Sequence, residues 1–167
     1  FMGWNGPILT DSGGFQGFSL ERLRSINEDG IQFKSHIDGS FHHLSPESAI
    51  LYQENLGADI IMPLDVCVSA SGTRDEVETA LARTTRWAAR CLEAHVRKDQ
   101  ALFGIVQGGL DLGLRQQSVR EITSLEFPGY AIGGLSVGES KAQMYETTGL
   151  VAGMLPKGVP RYLMGVG

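Results

Sequence analysis

Cysteine is scarce: Cys67 and Cys91 are the only two in 167 residues, giving neither a disulfide framework nor a zinc spacing. No metal site is therefore expected within this stretch, and a reducing compartment fits best. No run approaches the ~18 consecutive apolar residues of a membrane helix. The first residues also lack the basic start and small-residue cleavage site of a secretory signal. These absences exclude a membrane partner and point to the cytoplasm. Positive charge is not in surplus either. Fourteen Lys and Arg against 19 Asp and Glu leave a formal charge of −5, which counts against a general nucleic-acid binder while leaving room for a local basic strip. There is no self-similar repeat, which excludes a solenoid, and 42% hydrophobic content excludes disorder. What remains is one domain or part of one. The chain opens at Phe1-Met2-Gly3-Trp4, close to strand-like sequence, and stops just after another apolar run, so both ends read as cut.

What is present is a regular alternation. Pro7-Ile8-Leu9-Thr10 reads as a short apolar strand ending in the loop DSGGFQ, residues 11–16. Residues 31–37 alternate apolar and polar, and Asp38-Gly39 turns them into Phe41-His42-His43-Leu44, a two-stranded β-hairpin excursion near 31–44. Ser45-Pro46-Glu47 opens a helix that Gly57 closes. Residues 60–64 form a buried strand ending in Asp65; Thr73 and Glu76 then make a capping box before a long helix with an apolar stripe through Val77, Leu81, Thr84, Ala88, Cys91 and Leu92. The charges of that helix, including Arg83, Arg86 and Arg90, read as a solvated face. A strand at 101–106 ends at Gln107, and residues 114–125 supply the next helix. Residues 130–132 run into Gly133-Gly134-Leu135, Ser140 to Gln143 cap a further helix, and 161–164 is the last strand. Strand-then-helix repetition predicts a parallel α/β sheet with helical crossovers. A barrel and an open sheet both build their sites at the carboxyl ends of such strands.

The polar residues fall at those ends. Asp11, Asp65, Gln107, Gly134 and Met164 each follow a separate strand. An ionised Asp65 offers acceptors, Gln107 offers an acceptor and two donors, and the Gly134 N–H is unshielded by a side chain. That inventory suits the donor-and-carbonyl edge of a guanine-like base. Phe15 and the thioether of Met164 suit its faces, Gly13 and Gly14 permit close backbone approach, and Asp11 is left for proton transfer. Cys67, two residues past Asp65, lines the same pocket. The histidines carry less weight: His36, His42 and His43 belong to the hairpin and His95 to a helix end. The glycines of 133–138 offer a weak phosphate cradle without a G-x-G-x-x-G spacing.

DSGGFQ, FKSHIDGS, LSPESAI, LGADIIM, the 65–67 turn, GIVQGG, YAIGGLSVGE and YLMGVG together resemble the tRNA-guanine transglycosylases along essentially the whole chain. The resemblance implies an irregular (β/α)8 TIM-type barrel, of which 167 residues would hold about five βα units. It implies exchange of guanine at the tRNA wobble position for a 7-deazaguanine base, through a covalent enzyme–RNA intermediate, in queuosine synthesis. Asp11 would be the general acid/base. Ser12, Gly13, Gly14, Phe15, Asp65, Cys67, Gln107, Gly134, Leu135, Val137 and Met164 would bind the base, with Phe15 and Met164 sandwiching the ring. Gly165, Val166 and Gly167 would begin a stretch that touches RNA. Cys67 and Val137 resemble the bacterial form, which takes 7-aminomethyl-7-deazaguanine, Val137 excluding the bulkier queuine. The nucleophilic aspartate, the zinc ligands and much of the basic surface would lie beyond Gly167, so this stretch would hold no cofactor, while the full-length protein would carry zinc and form a homodimer. Gly17 departs from the pattern, standing where a larger apolar residue is usual. Two further classes stay open: a noncatalytic partner subunit of transglycosylase type, and a sugar-phosphate isomerase or lyase on a similar barrel.

Overall fold

The computed structural model describes residues 2–14, 24–35 and 37–166. Phe15, Gly17, His36 and Gly167, each singled out in the sequence, lie outside the described residues. The first regular structure is an antiparallel sheet of β1 (Arg24–Ile26), β2 (Ile31–Lys34) and β3 (Phe41–Leu44), with β2 in the middle. The expected hairpin is there, with Lys34 opposite Phe41, but it carries a third strand. That strand is held because the turn after it docks on a helix. The helices are α1 (Pro46–Leu56), α2 (Arg74–Ala94), α3 (Leu112–Thr123) and α4 (Lys141–Met154).

The docking corrects the reading of the long helix's charges as a merely solvated face. Glu28, in the β1–β2 turn, pairs with Arg83 and takes a two-pronged bond from Arg86, while its carbonyl accepts from buried Trp87 Nε1 at 2.9 Å and from Arg90 Nη1 at 2.7 Å. Arg90 also grips the Glu47 carboxylate, at 2.7 and 2.9 Å, and holds its pKa down to about 2. One face of α2 is thus a clamp on the small sheet and on the start of α1.

Capping chemistry sets the helix starts. Ser45, Thr73 and Ser140 each accept from the third backbone N–H and receive a reciprocal bond at their own, as capping boxes do, and Gly57 ends α1 in the left-handed region at φ 73°. The third helix starts at Leu112 rather than 114, because Asp111 caps it through the Leu114 N–H.

Five apolar segments lie parallel and in chain order. Leu9 bridges Ile60; β4 (Ile60–Ile61) pairs with β5 (Ala101–Leu102); β6 (Gly104–Val106) pairs with β7 (Tyr130–Ile132), and β7 with β8 (Arg161–Leu163). The expected strand at 101–106 is continuous through Phe103, whose N–H turns to Ile61 while that of Gly104 turns to Gly129. The segments form an open run among the described residues and do not close into a barrel. Two layers of buried side chains fill it: Ile61, Trp87, Ala88, Leu102, Val106 and Ile122 lie between sheet and helices, and Met62, Phe103, Ile105 and Ala131 on the other face.

The strand expected at 60–64 stops at Ile61, and Gln53 supplies the reason. Its amide accepts from the Met62 N–H and donates to the Met62 carbonyl, taking both ladder groups, and Pro63 next in line has no N–H. Gln53 also donates to the Ala49 carbonyl and accepts from the Thr10 hydroxyl. The same device recurs twice: Thr84 of α2 accepts from the Val66 N–H, and Ser118 of α3 from that of Gln107. Each helix thereby fixes the backbone where a strand gives way to its loop. Gln53→Leu keeps the volume and orphans the Met62 backbone, at about 1–3 kcal/mol per group. Urea unfolding should show a loss of at least ~2 kcal/mol at unchanged m.

Candidate active site

At the carboxyl end of the parallel run lies a cavity of about 220 Å³. It is lined by Asp11, Asp65 and Cys67, by the loop residues Gly133, Gly134, Leu135 and Ser136, and by Met164 and Gly165. Asp65 is its most strained chemistry. The carboxyl is buried, and the Gln107 amide donates to its Oδ2 at 2.6 Å. Burial, reinforced by the neighbouring Asp11 charge, pushes its pKa up to about 7 against the opposing pull of Gln107. Gly14 presses on it from behind: a Cβ there would stand 2.4 Å from Asp65 Oδ1, so no larger residue fits.

The predicted residues divide into two groups. Asp11, Asp65, Cys67, Gly134, Leu135, Met164 and Gly165 line the cavity. Gln107 does not line it and reaches it through Asp65; its amide packs against Gly134, where a Cβ would meet Gln107 Oε1 at 2.2 Å. Ser12, Gly13 and Gly14 form the shelf beneath Asp11, whose Oδ1 accepts from the Ser12 N–H at 2.9 Å. Val137 lies outside the lining, half-buried, with its backbone tied to Ala70 and Glu139. Its bulk therefore forms no part of the cavity wall. Val166 is exposed and borders a shallower groove with Lys141 and Tyr145.

Two residues were missed. Ser136 lines the cavity at φ 61°. Arg115 sits directly behind the glycine loop, 1% exposed, with Nε on the Gly109 carbonyl and its Nη atoms on those of Val106, Gly133 and Gly134. Burial pulls its pKa down to about 10, which leaves it charged at neutral pH. A cation on the inner face of α3, where spacing with Ser118 and Val119 calls for a buried residue, was the available signal. The weak phosphate cradle is already filled: the Ser136 and Val137 N–H groups both donate to the Glu139 carboxylate. Among the described residues no group of three His, Cys, Asp or Glu could hold a metal ion, so none is assigned to zinc. No described helix is long and apolar enough to cross a membrane.

Fold and site together define an α/β protein with a pocket at its strand ends, built on a buried acid and an amide. Comparison with known proteins makes that class specific. The sequence model of the family described as Queuine tRNA-ribosyltransferase matches residues 1–167, and the chain belongs to that family. It is 60% identical over 168 residues to a queuine tRNA-ribosyltransferase of Acetivibrio thermocellus, and 58% identical over 167 residues to one of Halothermothrix orenii. A Staphylococcus epidermidis protein of the same name is 57% identical over 168 residues. Each match covers 100% of this chain, which spans only 44–45% of the relatives' length.

The Asp65 shift has a consequence for stability. The folded chain binds this proton more tightly than the unfolded chain, where an aspartate titrates near 4. Stability from the protonated form is therefore full below pH 4 and lost as pH rises to about 7. Asp65→Asn should remove that dependence. The variant should melt above wild type at pH 8, by an amount that grows from pH 4 to 7 and then levels off; a difference flat across that range would refute it.

Proposed function

We propose that this chain carries the base-recognising and proton-transferring part of a tRNA-guanine transglycosylase, built on a (β/α)8 barrel of which the five parallel segments are a portion. The observation that carries this reading is a buried Asp65–Gln107 pair opening on a cavity that Asp11 also reaches. An ionised Asp65 accepts the N–H donors of a guanine edge; the glycine loop faces its carbonyl, and Met164 lies against its ring. The relatives' name supplies queuine and tRNA as the reactants to test. Cys67, on the cavity wall, favours 7-aminomethyl-7-deazaguanine as the incoming base.

In the proposed reaction a carboxylate outside this chain attacks ribose C1′ as the bond to the guanine nitrogen breaks. Asp11 supplies the proton that the departing base takes up and accepts one from the incoming base, whose nitrogen then displaces the enzyme carboxylate from C1′. Asp65 cannot serve as that nucleophile while it holds the base. The excess of acidic residues here fits a division in which phosphate contacts come from Gly165–Val166 onward. The full-length protein is proposed to bind zinc through residues outside this chain, to dimerise and to work in the cytoplasm. A sugar-phosphate enzyme is disfavoured because Glu139 occupies the loop N–H groups a phosphate would use. A noncatalytic subunit is disfavoured by the presence of Asp11, Asp65 and Gln107 together.

Incorporation of radiolabelled guanine into unmodified tRNA tests the reading. The full-length protein should incorporate it, Asp65→Ala should weaken base binding by about 1–3 kcal/mol per unpaired donor, and Asp11→Asn should lower kcat more than it raises KM. The 167-residue chain alone should incorporate none above a no-enzyme control; steady incorporation would mean that Asp11 or Asp65 is itself the nucleophile.

A further inference from the structure

Arg115 is a buried cation in an unusual setting. It forms no ion pair among the described residues, and its donors all go to backbone carbonyls. Two of those carbonyls are consecutive, those of Gly133 at 2.7 Å and Gly134 at 3.2 Å. In a trans peptide the C=O and N–H point in opposite directions, so holding these two oxygens turns the next two N–H groups, of Gly134 and Leu135, away from Arg115. Neither N–H donates to any protein group among the described residues, and both residues line the cavity. By contrast the Gly133 N–H is used, donating to the Val106 carbonyl at 3.0 Å.

We infer that Arg115 is a positioning residue that fixes the Gly134 and Leu135 N–H groups as a paired donor site for the carbonyl oxygen of a purine-type base. The proposal rests on the base-recognition reading above. The planar fork matters because it spans loops after two different strands, those ending at Val106 and at Ile132, which a flexible ammonium would not hold together. Its charge matters too. Hydrogen bonds from an ionised donor are stronger than neutral ones, and they polarise the two peptides so that their N–H ends become better donors to an oxygen on which charge develops as the base departs.

The test is calorimetric titration of guanine and 6-thioguanine into the full-length protein and into Arg115→Met and Arg115→Lys. The two bases share the N–H donors that Asp65 accepts and differ in the acceptor, sulfur being the weaker. Arg115→Met should weaken guanine about tenfold more than 6-thioguanine, shrinking the preference between them, and Arg115→Lys should restore part of it. Equal weakening of both bases in a variant with unchanged circular dichroism would reduce Arg115 to a structural prop and overturn the inference. If Arg115→Met does not fold, Arg115→Lys decides: a preference equal to wild type overturns the inference, a reduced one sustains it. Wild-type protein that binds neither base would instead sink the base-recognition reading, and this inference with it.

Discussion

The structure depends on keeping the Asp65 carboxyl out of water with one side-chain donor among the described residues, the Gln107 amide, at 2.6 Å. Burying a carboxylate without full compensation is costly, and the group answers by holding its proton up to about pH 7. Such an acid is poised. A ligand that brings N–H donors supplies the missing partners and favours the ionised form, so recognition and ionisation become one event. Asp11 nearby adds to the tension, since its charge disfavours a second one on Asp65.

Holding that tension requires a backbone that does not yield. Gln53, Thr84 and Ser118 come from three successive helices, and each bonds a backbone group where a strand ends, at Met62, Val66 and Gln107. These residues flank or carry the Asp65–Gln107 pair, so the helices position the site through side chains that touch no ligand. The clamp of Arg86, Trp87 and Arg90 on the Glu28 turn then fixes α2 against the small antiparallel sheet. Rigidity reaches the cavity through these polar links as much as through the apolar core.

Much of this was legible from sequence where a short-range rule governed it. Capping residues marked three of the four described helix starts, at Ser45, Thr73 and Ser140, and a polar residue ending an apolar run marked Asp65 and Gln107. What was not legible depended on distant partners. The three residues of β1 show no alternation and are strand only because β2 pairs with them. Arg83, Arg86 and Arg90 look solvated until the Glu28 turn arrives, although buried Trp87 among them marks that face as a contact. The early end of β4 needed knowledge of where the Gln53 amide would land. Val137 is adjacent in sequence to the cavity wall yet sits off it, because the loop bends at Ser136 with φ 61°.

That bend completes the logic of the glycine loop. Arg115 takes its carbonyls from the protein side, and Glu139 takes the Ser136 and Val137 N–H groups from the outer side. A loop rich in free donors would bind any anion, phosphate included. Here a carboxylate of the chain itself satisfies two of them, and burial of a cation orients the others. Among the described residues of this loop, the Gly134 and Leu135 N–H groups donate to no protein group, and both residues line the cavity together with Asp65. The lining thus combines backbone donors with a carboxylate acceptor, which on the proposed reading is the complement of a ring carrying a carbonyl beside N–H groups and a poor match for a phosphate.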